Sequence, residues 1–194
     1  KYDTAEENED RNTENVRMLY RPRGAQIEAL YALQESRMEG AVKGLVYAAT
    51  GIGKTYLAAF DSAKYERVLF VAHREEILKQ AAVSFKNVRN SEDYGFFDGE
   101  EKDTDKSVIF ASVATLGRPE YLNETYFPAD YFDYVIIDEF HHAVTDQYRR
   151  IVDYFQPQFL LGLTATPERM DGKNIYEICD YNVPYQISLK EAIN

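Results

Sequence analysis

The sequence has one cysteine, Cys179, and no tryptophan among its 194 residues. A single thiol excludes an internal disulfide framework and a zinc site built from several cysteines. It is also typical of proteins kept in a reducing compartment, so we expect a cytoplasmic protein. Histidine is scarce as well, and the neighbouring pair His141 and His142 does not share one face of the chain. Nothing in these residues predicts a metal cluster.

Long apolar runs are absent too. No segment approaches the run of about 18 apolar residues that a membrane-spanning helix needs. The polar, acidic start at residues 1–15 does not resemble a secretory signal. We therefore expect no membrane partner. The length fits one domain, which we place at residues 16–194, after an acidic flexible tail at residues 1–15.

Positive charge is in short supply, since the formal net charge is -11. Such a balance is unusual for a protein that binds phosphate backbones. The acids are concentrated, however: residues 1–15 hold six acids against two bases, and residues 92–105 hold seven against one. We interpret both segments as solvated loops or tails, so the acidity does not exclude a nucleic-acid surface elsewhere.

Short apolar runs alternate with segments of helical periodicity. The predicted strands lie at residues 45–48, 68–72, 107–111, 134–137 and 159–163. The predicted helices lie at residues 26–37, 54–64, 74–86 and 147–155. This pattern predicts an α/β domain with a mostly parallel sheet covered by helices on both faces, and a ligand at the edge where the strands end. Residues 91–106 read as a loop, in which 94–97 is a candidate extra strand.

A phosphate-binding loop is predicted between the first strand and the next helix. Gly51 and Gly53 permit backbone angles at which N–H groups converge on an anion, and the helix N-terminus adds partial positive charge. Lys54 would reach the β- and γ-phosphates, and the Thr55 hydroxyl would bind Mg²⁺. The usual first glycine of such loops is Ala48 here. The predicted phosphate-contacting residues are Thr50, Gly51, Ile52, Gly53, Lys54 and Thr55.

Two acids, Asp138 and Glu139, follow the fourth apolar strand. Alone they would as often be plain surface charge. With the phosphate loop upstream, we interpret Asp138 as a Mg²⁺ ligand and Glu139 as the group that orients or deprotonates an attacking water. We interpret His141 as a polar relay near the γ-phosphate and His142 as a packing residue.

Two hydroxyl residues, Thr164 and Thr166, follow the last predicted strand. An ordinary turn closed by Pro167 accounts for them equally well when they are considered alone. Taken with the other segments, however, they complete a recognisable order: Gly51-Ile52-Gly53-Lys54-Thr55, then Asp138-Glu139-Phe140-His141, then Thr164-Ala165-Thr166. That order resembles the DExH-type helicases and translocases of superfamily 2.

Further segments extend the resemblance over about residues 20–190. Residues 71–80 and 111–116 look like the motifs that follow the second and third strands, and Gly24-Ala25-Gln26 resembles the adenine-recognising glutamine motif, without its preceding aromatic residue. The chain is most similar to the helicases that resemble the type III restriction enzyme subunit. The resemblance implies a RecA-like P-loop NTPase domain at residues 16–194 that uses ATP and Mg²⁺.

The resemblance also assigns roles to single residues. Gln26 would read the adenine edge, although a simple polar helix start explains it equally well. Thr164 and Thr166 would couple the state of ATP to a second motor domain. The residues that would contact nucleic-acid phosphates, opposite the ATP edge, are Arg74, Thr115 and Arg118. Helix-start and capping roles are the alternatives for Arg74 and Thr115.

The expected function is the ATP-binding motor domain of an ATP-dependent DNA helicase or translocase, with RNA left open as the polymer. The expected partners are DNA and a second RecA-like domain of the same full-length polypeptide, which this chain does not include. We therefore expect weak ATP hydrolysis from the chain by itself, without the arginine finger of that domain. The alternative is a P-loop ATPase that acts as a switch or remodels protein without nucleic acid, which the acidic balance favours.

Overall fold

The computed structural model describes residues 20–47, 51–140, 145–165 and 185–186. The helices in these ranges are Ala25–Met38 (α1), Gly51–Ser62 (α2), Glu75–Arg89 (α3), Val113–Leu116 (α4) and Asp146–Tyr154 (α5). The strands are Lys43–Tyr47 (β1), Val68–Ala72 (β2), Tyr94–Phe97 (β3), Val108–Ser112 (β4), Tyr134–Ile137 (β5), Phe159–Thr164 (β6) and Tyr185–Gln186 (β7). The predicted acidic tail lies outside the described residues.

The described strands form one sheet in the order β3-β4-β2-β5-β6-β1-β7, and every neighbouring pair is parallel. The predicted parallel sheet is confirmed, and the candidate strand at residues 94–97 is the edge strand β3. Because all strands run the same way, the segments that follow them meet at one edge of the sheet. The phosphate loop follows β1 and the acidic pair follows β5, so both come to that edge.

Two apolar cores cover the two faces of the sheet. Val68 and Phe70 of β2 pack with residues of α1, α2 and α3. Leu69 and Val71 of the same strand pack with α5 and with the aromatic residues of the segment before β5, such as Phe127. Burial on both faces explains why the strands read as continuous apolar runs rather than as an alternating pattern.

A close packing contact fixes the turn after β5. Gly162 of β6 lies under the ring of Phe140, and a Cβ atom at this glycine would stand 2.7 Å from the ring carbon Cγ. Only glycine admits so close an approach. Phe140 is fully buried and directly follows Glu139, so this contact holds the end of the acidic segment against the sheet.

The ends of the elements differ by a few residues from the prediction. Helix α3 continues to Arg89 instead of stopping at residue 86, and it ends at Asn90, whose φ of 48° is left-handed. Asparagine tolerates this conformation, so it serves as the C-terminal stop. The short helix α4 was not predicted, because four residues are too few to show a helical period. None of the helices in the described ranges has the length and apolar content that a membrane crossing requires.

Candidate nucleotide-binding site

The centre of the site is an ion pair between residues that are far apart in the sequence. Lys54 lies in the first turn of α2, and its Nζ is 2.9 Å from Oδ1 of Asp138. Both side chains are buried, with 9% and 3% of their surfaces exposed. Apart from this ion pair, Asp138 Oδ1 has no hydrogen bond of good geometry among the described residues. The structure thus brings together the lysine of the phosphate loop and the first acid of the pair.

Glu139 follows Asp138 with a backbone φ of 52°, in the left-handed region that few residues other than glycine adopt. Its Oε2 atom is 2.8 Å from Nδ1 of His73, the residue that follows β2. The parallel register explains the contact, since β2 and β5 are neighbours and Asp138 N donates a hydrogen bond to the Val71 carbonyl at 2.9 Å. This histidine was not among the predicted site residues.

A cavity of about 270 Å³ opens beside the ion pair. Its lining residues come from α2, α3 and the end of β5: Lys54, Thr55, Ile77, Gln80, Ser84, Asp138 and Glu139. The volume lies just below the range of small-molecule sites, about 300–1,000 Å³. The α3 residues occur at spacings of three and four, so they share one helix face. That spacing is the sequence signal by which Ile77 and Ser84 could have been found.

Gln26 is attached to the phosphate-loop helix. Its Nε2 donates to the Gly53 carbonyl at 3.2 Å, and its Oε1 accepts a hydrogen bond from Arg23 N at 3.1 Å. These contacts place Gln26 beside the predicted phosphate loop, near the start of both α1 and α2. They link the two helices whether or not Gln26 also contacts a base.

Tyr148 of α5 adds a second polar group that sequence reasoning missed. Burial raises the pKa of its phenol, and the nearby charges of Glu139 and Asp138 raise it further. The phenol therefore stays protonated beside the two acids. The helix that carries it has no sequence motif, which is why only the folded structure reveals this neighbour.

A larger cavity of about 650 Å³ lies at the other edge of the sheet, beside Asp133 and Gln158, which precede β5 and β6. Its central charges are satisfied within the protein. Arg37 donates two hydrogen bonds to Asp61, at 2.6 and 2.8 Å, and the Tyr134 hydroxyl donates to the same carboxylate at 2.5 Å. We interpret this network as a tie between α1, α2 and β5, and place the functional site at the edge that carries Lys54.

The predicted nucleic-acid contacts do not lie opposite the ATP edge, so that expectation is wrong. Arg74 and Thr115 follow β2 and β4, whose ends meet the same edge as β5 in the parallel sheet. Arg74 and Arg118 are exposed. Thr115 is buried, with 6% of its surface exposed, and its carbonyl accepts a hydrogen bond from Arg118 N. The two arginines are therefore the accessible members of the predicted set.

The remaining predicted residues are placed only in part. Thr164 is fully buried at the end of β6, opposite Tyr47 of β1. Gly51 and Ile52 form the start of α2. Thr50, His141, His142 and Thr166 lie outside the described residues.

The described groups at the site fit a hard divalent cation. Asp138 supplies a buried carboxylate oxygen without a well-formed hydrogen bond, and the Thr55 side chain lines the same cavity. Oxygen ligands of this kind suit Mg²⁺, which usually takes only one or two ligands from protein and the rest from phosphate and water. No cluster of three or more His, Cys, Asp or Glu residues occurs in the described ranges that would hold a metal alone.

Comparison with protein families matches residues 19–169 to the type III restriction enzyme res subunit. The chain belongs to this family. As a member of the res-subunit family, it is a helicase-like motor domain related to superfamily 2 helicases and translocases.

The curated relatives include a bacterial and an archaeal protein. The endonuclease subunit of the type I restriction enzyme EcoAI of Escherichia coli is 30% identical over 191 residues, covering 89% of this chain and 22% of the subunit. The DNA 3'-5' translocase XPB2 of Sulfurisphaera tokodaii is 30% identical over 172 residues, covering 87% of this chain and 36% of the translocase. This member of the res-subunit family thus spans about a fifth to a third of the length of these relatives.

Solved structures show the same fold. The helicase domain of Hef from Pyrococcus furiosus has a TM-score of 0.64 at 20% identity, covering 83% of this chain and 38% of that chain. A hypothetical ATP-dependent RNA helicase from Sulfolobus tokodaii has a TM-score of 0.68 at 17% identity. The match covers 87% of this chain and 53% of the helicase. The RecA-like fold that the sequence predicts is confirmed for this member of the res-subunit family.

Proposed function

We propose that the chain binds ATP with Mg²⁺ and hydrolyses it to drive movement along DNA, as the first motor domain of a helicase or translocase. The observation that carries the proposal is the convergence of Lys54, Asp138 and Glu139 on one small cavity at the carboxyl edge of the sheet. A cation, a carboxylate suited to a metal and a second carboxylate are the groups that phosphoryl transfer to water requires.

In this proposal Lys54 binds the terminal phosphates of ATP, and the N-terminus of α2 adds its partial positive charge to the same anion. Lys54 leaves its partner Asp138 at least in part when phosphate arrives, because the phosphate competes for the same ammonium group. Asp138 and Thr55 would hold Mg²⁺, which would neutralise phosphate charge. The ion pair thus keeps both buried charges compensated until the nucleotide replaces it.

Glu139 is proposed to act on the attacking water. One carboxylate oxygen is 2.8 Å from His73, and the residue lines the cavity beside Lys54. A carboxylate in this position accepts a hydrogen bond from water and orients its lone pair towards the phosphate. Tyr148 and Phe140, both buried, lie next to the acidic pair in space and in sequence, respectively.

Movement along DNA is proposed to need a second RecA-like domain of the same full-length polypeptide. Such a domain supplies an arginine finger, worth about 10³–10⁵ in rate in related enzymes. Arg74 and Arg118, exposed at the carboxyl edge, are the proposed phosphate contacts on this domain. The names of two relatives, a DNA translocase and a restriction endonuclease subunit, support DNA as the polymer. Another relative is named an RNA helicase, so RNA stays open.

The test is ATP turnover by a polypeptide that carries this chain and the proposed second domain, with and without duplex DNA. We expect DNA to stimulate turnover, and Glu139→Gln to lower turnover about 10²–10⁴-fold while ATP still binds. Glu66→Gln alters an exposed acid beside the larger cavity, at the opposite edge of the sheet from Lys54. It is the matched control and should change neither value. Turnover that DNA does not stimulate would favour the alternative, a P-loop ATPase that acts without nucleic acid.

A further inference from the structure

The contact between His73 and Glu139 links two parts of the molecule that the proposed function treats separately. His73 is two residues beyond Val71 of β2, and Glu139 is two residues beyond Ile137 of β5, its partner in the register. The two residues therefore follow the ends of adjacent strands at the same level. Their 2.8 Å contact follows from this register.

The contact involves a defined atom of each residue. An ionised carboxylate can only accept hydrogen bonds, so Nδ1 of His73 carries a hydrogen and donates a hydrogen bond to Oε2 of Glu139. A glutamate side chain has three rotatable bonds, and an unheld carboxylate samples many orientations. The left-handed backbone at Glu139 fixes the direction of its Cα–Cβ bond, and the contact with His73 fixes the position of its carboxylate.

The segment that carries His73 runs from the exposed edge to the cavity. Arg74, the next residue, is exposed and precedes the first turn of α3 with an extended backbone, φ -113° and ψ 131°. Farther along the same helix, Ile77, Gln80 and Ser84 line the cavity. A displacement of this segment by a ligand at Arg74 would move both the histidine that holds Glu139 and one wall of the cavity.

We propose that His73 is a positioning residue that orients the Glu139 carboxylate and through which occupation of the nucleic-acid surface at Arg74 reaches the hydrolytic site. The proposal rests on the proposed function of the Lys54–Asp138 site. It assigns His73 no contact with ATP. Its contribution is to fix one oxygen of Glu139 so that the other faces the attacking water.

The variants of His73 are chosen by whether they keep a hydrogen-bond donor at the position of Nδ1. His73→Ala removes the donor. His73→Asn places an amide nitrogen at the position of Nδ1, because both nitrogens are bonded to Cγ. His73→Gln places its amide nitrogen one bond farther out, at the position of Nε2. Gln34→Ala, an exposed polar residue of α1 at the opposite edge, is the matched control.

The first measurement is steady-state ATP turnover of the two-domain polypeptide, with and without duplex DNA. We expect His73→Ala to lower the basal kcat about tenfold, the effect typical of a lost orienting partner, with KM for ATP unchanged. DNA should stimulate His73→Ala less than the unaltered protein. His73→Asn should recover both values, whereas His73→Gln should recover neither and Gln34→Ala should alter neither.

Each outcome decides one part of the proposal. An unchanged basal kcat in His73→Ala overturns the positioning role. A lowered basal kcat with an unchanged ratio of stimulated to basal turnover overturns the coupling role. If DNA fails to stimulate even the unaltered protein, the proposed function fails instead, and the basal values still decide whether His73 orients Glu139.

A second measurement needs no nucleotide. The ring nitrogen resonances of His73, assigned by their loss in His73→Asn, are compared between the unaltered protein and Glu139→Ala. We expect a change in the Nδ1 signal when its acceptor is removed. Identical ring signals in the two proteins would overturn the pairing on which the proposal depends.

Discussion

Among single residues, the polar groups at the two edges of the sheet do different work. At the carboxyl edge, Lys54 and Asp138 are paired with each other, and we propose that a nucleotide exchanges this contact for its own. At the amino edge, Asp61 accepts hydrogen bonds from Arg37 and Tyr134, and Arg37 also stacks over the Phe159 ring at 4.7 Å. This second network holds the helices in place beneath the site.

Tyr134 makes the stability of the protein depend on alkaline pH. Burial raises the pKa of its hydroxyl well above the ordinary value of 10.0, and the Asp61 charge raises it further. As the pH rises, the unfolded chain therefore loses the Tyr134 proton at a lower pH than the folded protein does. The contribution of Tyr134 to the free energy of unfolding should therefore be constant below about pH 10. Above that pH it should fall by up to about 1.4 kcal/mol per pH unit.

Tyr134→Phe tests this dependence in denaturant titrations at several pH values. The variant should be less stable near neutral pH by about 1.5–3 kcal/mol, because Asp61 loses a hydrogen bond to its charge. Its stability should then decline less steeply above pH 10 than that of the unaltered protein. Equal slopes for the two proteins would show that Tyr134 does not titrate as described.

The sequence identifies single residues well where they lie in a fixed motif and poorly where only folding brings them together. Lys54 and Asp138 were predicted because each follows an apolar strand in a recognisable pattern. His73 and Tyr148 were missed as site residues, since their proximity to Glu139 depends on which strands are neighbours and on how α5 packs. Sequence separation conceals such contacts.

Among the elements, the strands carry the strongest signal because each is buried on both faces and reads as an unbroken apolar run. Their order in the sheet is not readable in the same way. The placement of β6 between β5 and β1 depends on long-range pairing, and it is this placement that sets Gly162 beneath Phe140. A glycine within a strand signals close packing, but not the partner.

Gly162→Ala should disturb this part of the sheet. The new methyl group would lie 2.7 Å from the Phe140 ring and 3.0 Å from Leu45, so the ring must shift. We expect a loss of about 1–3 kcal/mol in the free energy of unfolding, as for other overpacked cores. Under the proposed function, ATP turnover should fall as well, because Phe140 directly follows Glu139.

Gly99→Ala is the matched control for this substitution. A Cβ atom at Gly99 meets nothing within 4 Å, and its backbone is not left-handed. Its stability should stay the same or rise by less than about 1 kcal/mol. If Gly162→Ala proves as stable as Gly99→Ala in the same denaturant titration, the described packing of Phe140 is wrong.

Across the whole molecule, the sheet gathers motifs that are scattered along 194 residues. The fold class and the edge at which the site forms were predictable, because parallel strands place their following loops together. The order of the loops along that edge was not predictable. Arg74 and Thr115 were expected opposite the ATP edge, but they lie at the same edge. Motif order gives no information on how far apart two loops of the same edge lie.

The most direct test of the nucleotide site is titration calorimetry of ATP and Mg²⁺ with Lys54→Ala beside Lys64→Ala, an exposed lysine that lies beyond α2. Circular dichroism on both variants reports whether the fold is retained. We predict that Lys54→Ala weakens ATP binding at least about 10- to 150-fold, the loss expected for one charged hydrogen bond, whereas Lys64→Ala binds normally. A folded Lys54→Ala with unchanged affinity would contradict the account.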